Sequence, residues 1–154
     1  KNRKRGEFCA KNRQKQLLVV QKLHARLANI RNEYIRYVVS MLVKTKPAYL
    51  TIEDLNVTSM MKNRHLSKAV AQQCFYAFKA FLIDKCSGKG IELRQVDRWY
   101  PSSKICSSCG VKKTALSLSE RTFVCDYCDA VLNRDFNASL NLKYAKEYTI
   151  LTER

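Results

Sequence analysis

Acidic side chains and long apolar runs are both scarce in this 154-residue sequence. Lysine and arginine number 29 against 13 aspartates and glutamates, which leaves a net charge of +16. No apolar run approaches the roughly 20 residues that a membrane-spanning helix needs. No apolar segment of a secretory signal follows the basic N-terminus either. The composition predicts a nucleic-acid partner in preference to a membrane surface, and a cytoplasmic, nucleoid-associated protein.

The number and spacing of the cysteines favour a metal site over redox-active or disulfide-bonded pairs. There are seven of them, and Cys9, Cys74 and Cys86 are scattered through basic or helical sequence. The other four form two Cys-x-x-Cys pairs separated by fifteen residues: Cys106 with Cys109, and Cys125 with Cys128. This spacing is typical of a zinc ribbon in a reducing compartment.

Four thiolates leave a zinc ion no open coordination position, so the predicted metal is structural and not catalytic. The residues between the two pairs include few apolar side chains. Zinc binding is therefore expected to supply most of the folding free energy of this ribbon, which should unfold without the metal.

Hydrophobic periodicity predicts alternating helices and strands outside the ribbon. Residues 14–43 read as one long amphipathic helix with the apolar stripe Val20, Leu23, Leu27, Ile30, Tyr34, Val38 and Met41. A buried strand "AYLTIED" follows, then a helix capped by Ser67, a strand "IELRQV" and, after the cysteines, a last helix opened by Asp135 with the stripe Phe136, Leu140 and Tyr144. The predicted fold class is α/β with a small metal-bound insert.

Two acids stand at the ends of predicted elements, Glu53 after a strand and Asp135 at the start of a helix. If both elements pack on one sheet, the carboxylates could converge and share a divalent cation. Two carboxylates are too few for two-metal phosphodiester chemistry. An acid in the first turn of a helix also stabilises the helix dipole in any protein, so a purely structural role stays open.

Several spaced motifs resemble the C-terminal half of the transposon-encoded TnpB family. They are "TIEDLNV", "VDRWYPSSKICSSCG", "CDYC" and "NRDFNASLNL", in this order, and "KNRQK" with the helix after it is similar to the long helix of the family. TnpB proteins are RNA-guided DNA endonucleases related to type V CRISPR effectors. The resemblance extends over nearly the whole chain.

The resemblance implies a RuvC-like nuclease domain of ribonuclease H type, with an Asp-Glu-Asp triad that holds magnesium. Glu53 matches the central glutamate and Asp135 the last aspartate. The zinc ribbon is implied to help load target DNA, with guide RNA as the second partner. The implied division is a basic linker (1–16), part of the RuvC-like domain (17–102), the zinc ribbon (103–132), and the last RuvC-like helix with a tail (133–154).

Three further residues are predicted to contact nucleic acid, each with an alternative. Arg134 could neutralise charge on a phosphate or anchor the ribbon. Lys104 could contact phosphates or belong to a solvated surface. Trp99, followed by Tyr100, could stack on an unpaired base or close a core.

The chain departs from the TnpB pattern at two places. Asn133 stands where the family commonly has an aspartate, a position outside the triad. The first triad aspartate belongs upstream of the long helix, yet residues 1–48 contain no aspartate. We therefore expect a C-terminal piece of a magnesium-dependent nuclease that is inactive alone.

Two other functions remain open from the sequence. The first is a non-catalytic zinc-ribbon protein that binds nucleic acid and whose acids are structural caps. The second is an interaction protein that uses the long helix as a coiled coil; it is the weaker hypothesis because His24, Arg31 and Tyr34 interrupt the apolar seam. The sequence leaves the oligomeric state open.

Overall fold

A computed structural model describes residues 11–117 and 119–152. The five helices in these residues are α1 (Lys11–Lys44), α2 (Val57–Lys62), α3 (Ser67–Gln73), α4 (Phe75–Ser87) and α5 (Arg134–Lys143). The five strands are β1 (Tyr49–Glu53), β2 (Glu92–Val96), β3 (Thr122–Val124), β4 (Val131–Asn133) and β5 (Thr149–Ile150). The predicted mixed α/β architecture is confirmed.

The larger sheet has the strand order β1-β2-β5. Strands β1 and β2 are parallel, with Tyr49 opposite Glu92 and Glu53 opposite Val96. Strand β5 pairs antiparallel with the other side of β2. Within the described residues β1 therefore has a neighbouring strand on one side only. Such an edge exposes backbone groups that can pair with a further strand.

The main core lies between α1, α4 and β2. Its buried members are the apolar residues Ile35, Val39, Val43, Leu82, Cys86, Ile91 and Leu93. The three from α1 recur at intervals of four, so one helix face is apolar over its last three turns and packs on α4. This core fixes the position of β2. Because β1 pairs with β2, the core also fixes the position of Glu53.

The long helix is confirmed, but its predicted contact face is wrong. All of the predicted stripe except Val38 is exposed, whereas Ile35, Val39 and Val43 are buried. The helix has 34 residues, about 51 Å, so it is much longer than the core that it contacts. It begins at Lys11, inside the predicted linker 1–16, of which residues 1–10 lie outside the described part.

The predicted helix from Ser67 is two helices. Cys74 adopts a left-handed backbone conformation, with φ 51° and ψ 41°, and separates α3 from α4. Ser67 is the first residue of α3 and not its cap. The predicted burial of β1 is also wrong, since its residues are half-buried or exposed. The strand lies at an edge of the sheet, which explains its exposure.

Across residues 11–117 and 119–152, every helix is too short or too polar to traverse a lipid bilayer.

Candidate functional site

The four paired cysteines converge on one point. The Sγ atoms of Cys106 and Cys128 lie 3.7 Å apart, and those of Cys109 and Cys125 lie 3.6 Å apart. All four sulfurs are within 4.8 Å of one another. A tetrahedral site with Zn–S bonds of about 2.3 Å has sulfurs about 3.8 Å apart, so this quartet has the spacing that a zinc ion requires.

The protonation of the quartet is uneven. Burial opposes ionisation of Cys106, but the backbone N–H groups of Cys109 and Ser108 and the thiols nearby lower its pKa to about 6. The N–H of Ala130 favours the Cys128 thiolate, yet the thiol of Cys109, burial and the other two sulfurs raise the Cys128 pKa to about 12. Thiolates this close repel one another, so a bound cation would remove the remaining protons.

A small hairpin holds the two cysteine pairs. Strands β3 and β4 are antiparallel, with Phe123 opposite Leu132. The ring of Phe123 is fully buried against Cys106 and Cys125, and Leu116 and Ala130 complete the cluster. This apolar cluster is too small to stabilise a hairpin on its own.

Glu53 is the last residue of β1 and is an exposed residue. Its Oε1 accepts a hydrogen bond of 2.5 Å from the buried hydroxyl of Ser102. The next residue, Asp54, is held separately by Gln95 Nε2 at 2.7 Å and by Arg98 Nη2 at 2.7 Å. Glu53 is therefore anchored at one oxygen, while its neighbouring acid is neutralised by a cation.

The pocket beside Glu53 is large and mainly apolar. It has a volume of about 1040 Å³ and extends from α1 across the end of β1 to α4. Tyr34, Ile52, Tyr76 and Phe78 are among the side chains that line it, together with Glu53 itself. A second pocket, of about 420 Å³, lies between β1 and α5.

Asp135 lies in the first turn of α5, and its side chain is 76% exposed. Helix α5 packs on β1, and the hydroxyl of Tyr49 donates to the carbonyl of Lys143 at 2.9 Å. Helical periodicity places Asp135 on the same face as Ser139 and Leu142, which line the pocket along β1. Glu53 and Asp135 are thus on packed neighbouring elements.

In the part of the chain that is described, Glu53 and Asp135 do not form a three-ligand group with any third acid. There the cysteine quartet is the sole group of three or more His, Cys, Asp or Glu side chains close enough to hold one ion. A complete three-carboxylate site would need an acid from elsewhere.

Asn133 is the N-cap of α5, so the departure from the family pattern has a clear structural role. Its Oδ1 accepts from the N–H groups of Asp135 at 3.0 Å and of Phe136 at 3.1 Å. We expect Asn133→Ala to destabilise the protein by about 1 kcal/mol. Asn133→Asp should retain full stability because aspartate caps equally well and favours the helix dipole.

Urea unfolding monitored by circular dichroism measures both Asn133 variants. Equal stabilities for the alanine and aspartate variants would contradict the capping role.

The three predicted nucleic-acid contacts differ in accessibility. Trp99 is 85% exposed in the turn after β2. Lys104 is half-buried, and its carbonyl accepts from the N–H of Lys113 at 2.8 Å. The Arg134 side chain is only 15% exposed, and its backbone N–H donates to the carbonyl of Arg121 in the ribbon. The Arg134 Nε lies 3.6 Å from Asp135 Oδ1, and the low exposure of this side chain does not favour a phosphate contact.

The sequence pattern missed three polar residues at the centre of this site. Ser102, Asn137 and Asn141 are buried, and their hydrogen bonds connect β1, α5 and the first cysteine pair. Phe136 and Tyr144, which were predicted to be the buried stripe of α5, are exposed instead. The signal available in the sequence was the i, i+4 spacing of the two asparagines.

Comparison with known proteins gives a consistent set of relatives. A family model described as "Cas12f1-like, TNB domain" matches residues 75–142. A protein of Streptomyces pristinaespiralis is 37% identical over 131 residues, covering 85% of this chain and 32% of its own length. InsQ of Escherichia coli (strain K12) is 29% identical over 146 residues, covering 85% of this chain and 36% of its own length. Both carry the provisional name RNA-guided DNA endonuclease.

Two solved structures share the fold. A Cas12f1–sgRNA–target DNA complex superposes with a TM-score of 0.62 at 20% identity, covering 85% of this chain and 37% of that protein chain. A CRISPR-Cas12f ternary complex gives 0.62 at 22% identity, covering 86% and 27%. The chain spans about a third of the length of the curated relatives that it matches.

Proposed function

Because its relatives and structural neighbours support a TnpB-family protein, we propose that this chain is the C-terminal part of an RNA-guided DNA endonuclease. Its RuvC-like site hydrolyses phosphodiester bonds with magnesium. Target DNA and guide RNA are the partners of the longer protein. The 154 residues alone are inactive because they supply only two of three carboxylates.

The proposal depends above all on the placement of Glu53. This glutamate is an exposed residue at the end of a strand with an open edge, next to a helix that carries Asp135. A strand added along that edge could bring a third carboxylate beside Glu53. Carboxylate oxygens are the ligands that magnesium prefers in proteins.

Glu53 and Asp135 share one role in the proposed reaction, and the residues beside them have others. Glu53 and Asp135 hold magnesium, which when bound supplies activation of the attacking water and stabilisation of the leaving oxygen. Ser102 keeps one Glu53 oxygen in place. Both oxygens of the neighbouring Asp54 already accept hydrogen bonds, from Gln95 and Arg98, so we assign this acid no role in holding the ion.

We propose that the cysteine quartet binds structural zinc and that the ribbon, residues 103–132, is an insert in the RuvC-like domain. That domain then consists of residues 17–102 and 133–154. The basic linker, residues 1–16, overlaps the start of α1. Support comes from the tetrahedral spacing of the sulfurs and from the position of α5 directly after β4.

Nucleic-acid binding by this chain should depend strongly on salt. The net charge of +16 implies that Lys or Arg side chains displace counterions from phosphates. We expect a log–log slope of affinity against salt of about −0.9 for each phosphate contacted. Fluorescence anisotropy with labelled duplex DNA at several salt concentrations measures the slope.

Trp99→Ala should weaken the binding of single-stranded DNA by about 1 to 3 kcal/mol if the indole stacks on a base. Tyr127→Ala, another exposed aromatic, is the matched control.

For the salt experiment, an affinity for duplex DNA that does not change with salt concentration would contradict the electrostatic interface.

The proposed function is tested by DNA cleavage with the longer protein that contains this sequence. Loss of cutting in Asp135→Asn with retained binding supports a nuclease. Cutting retained in Asp135→Asn contradicts the catalytic role of Asp135, and absence of cutting by the unsubstituted protein supports a non-catalytic zinc-ribbon module.

A further inference from the structure

A buried hydroxyl holds the carboxylate of Glu53. Ser102 is 5% exposed, and the hydrogen bond of its hydroxyl within the described residues goes to Glu53 Oε1 at 2.5 Å. The backbone of Ser102 is held independently of this hydroxyl, because its carbonyl accepts from Asn141 Nδ2 of α5 at 2.7 Å.

Two buried amides of α5 extend the connection to the first cysteine pair. Asn141 Nδ2 also donates to the carbonyl of Ile105 at 2.6 Å, and Asn137 Nδ2 donates to the same carbonyl at 2.7 Å. Asn137 Oδ1 accepts from the N–H of Ser107 at 2.9 Å. Ile105 and Ser107 flank Cys106, so the hydrogen bonds from α5 fix the backbone on both sides of a predicted metal ligand.

The burial of these groups makes the arrangement stiff. Asn137 is fully buried and Asn141 is 7% exposed. A buried amide that loses its partner is costly, so each side chain holds a fixed orientation. A displacement of the backbone at Cys106 would therefore move Ile105, then α5 and Ser102.

We propose that Ser102 is a positioning residue for the Glu53 carboxylate, and that Asn137 and Asn141 couple this position to closure of the cysteine pairs. The metal of the ribbon thereby orients a carboxylate of the nuclease site. The inference rests on the proposed function only where Glu53 is taken as a magnesium ligand.

The test uses the NMR signal of the Glu53 carboxyl carbon in the 154-residue chain, assigned with Glu53→Gln. Ser102→Ala should displace and broaden this signal because the carboxylate loses its donor. Ser102→Thr, which retains a hydroxyl, should restore the signal, and the neighbouring Ser103→Ala is the matched control. A signal that keeps its wild-type position in Ser102→Ala overturns the proposal.

A second measurement needs no variant, in case Ser102→Ala does not fold. A hydroxyl held in this bond exchanges slowly with water, so the Ser102 hydroxyl proton should be visible with a nuclear Overhauser contact to Glu53. Fast exchange of that proton overturns the positioning role. Removal of zinc by a chelator should also move the Glu53 signal, and a signal that stays while those of Ile105 and Ser107 shift overturns the coupling.

Manganese, added to the longer protein as a paramagnetic stand-in for magnesium, separates this proposal from the nuclease proposal, because the 154-residue chain supplies only two of the three carboxylates. It should broaden the Glu53 signal, and Ser102→Ala should require about 10-fold more manganese, as for other residues that orient metal ligands. If Glu53 responds to Ser102→Ala but never to manganese, the positioning role stands and the assignment of Glu53 as a metal ligand fails.

Discussion

Replacing Cys106 by serine is expected to abolish stoichiometric zinc binding and to unfold the hairpin of β3 and β4. Cys106 is buried against Phe123, and its sulfur is one corner of the tetrahedral quartet. The apolar cluster around it is small, so zinc must supply most of the folding free energy, on the order of 10 kcal/mol in zinc-finger peptides. Metal analysis of the purified protein and the NMR signals of the Phe123 ring measure the two effects.

Cys74→Ser is the matched control for the zinc experiment, because Cys74 lies between α3 and α4, outside the quartet. This variant should bind one zinc per chain. Acidification should weaken zinc binding, since protons then compete for the thiolates, and the Cys128 pKa of about 12 implies proton release on binding at neutral pH. A Cys106→Ser protein with full zinc content and an intact hairpin would contradict the structural site.

The second large effect is expected at the carboxylates. In the longer protein, Asp135→Asn and Glu53→Gln should each lower DNA cleavage by at least about 100-fold, because each removes a ligand charge, and even residues that only support metal ligands cost 10- to 100-fold. Affinity for target DNA should change little, since neither acid attracts phosphate. Plasmid cleavage in magnesium and anisotropy measure the two quantities.

Asp84→Asn provides the control for these carboxylates. Asp84 is an exposed acid of α4 that contacts only the adjacent Lys85 among the ion pairs of the described residues. Its replacement should leave cleavage unchanged. Magnesium-dependent cleavage by the isolated 154-residue chain, lost in Glu53→Gln, would show that two carboxylates suffice and would refute the requirement for a third.

Periodicity located most elements of the fold but not their buried faces. The positions of α1, β1, β2 and α5 follow from apolar spacing and turn residues. The face of α1 does not, because apolar side chains surround much of this helix and only its last three turns meet α4. The break at Cys74 was also missed, since the apolar pattern continues through it.

The candidate site was predictable where chemistry depends on spacing along the chain. The cysteine quartet follows from two short repeats, and its convergence requires only a hairpin. Ser102 and the two asparagines of α5 could not be found in this way, because polar residues normally face water. Inside the protein the two asparagines are satisfied by the backbone carbonyls of residues 102 and 105, and the Ser102 hydroxyl by Glu53, and the positions of these partners depend on the tertiary fold.

The open edge of β1 imposes a strict condition on any strand that completes the sheet. Side chains alternate between the two faces, so a shift of one residue in the pairing would turn every side chain of the incoming strand to the opposite face. An aspartate on that strand would share an ion with Glu53 in one alignment and lie across the sheet from it in the next. The register of the backbone hydrogen bonds along the five residues of β1 would thus decide whether a metal site can form beside Glu53 at all.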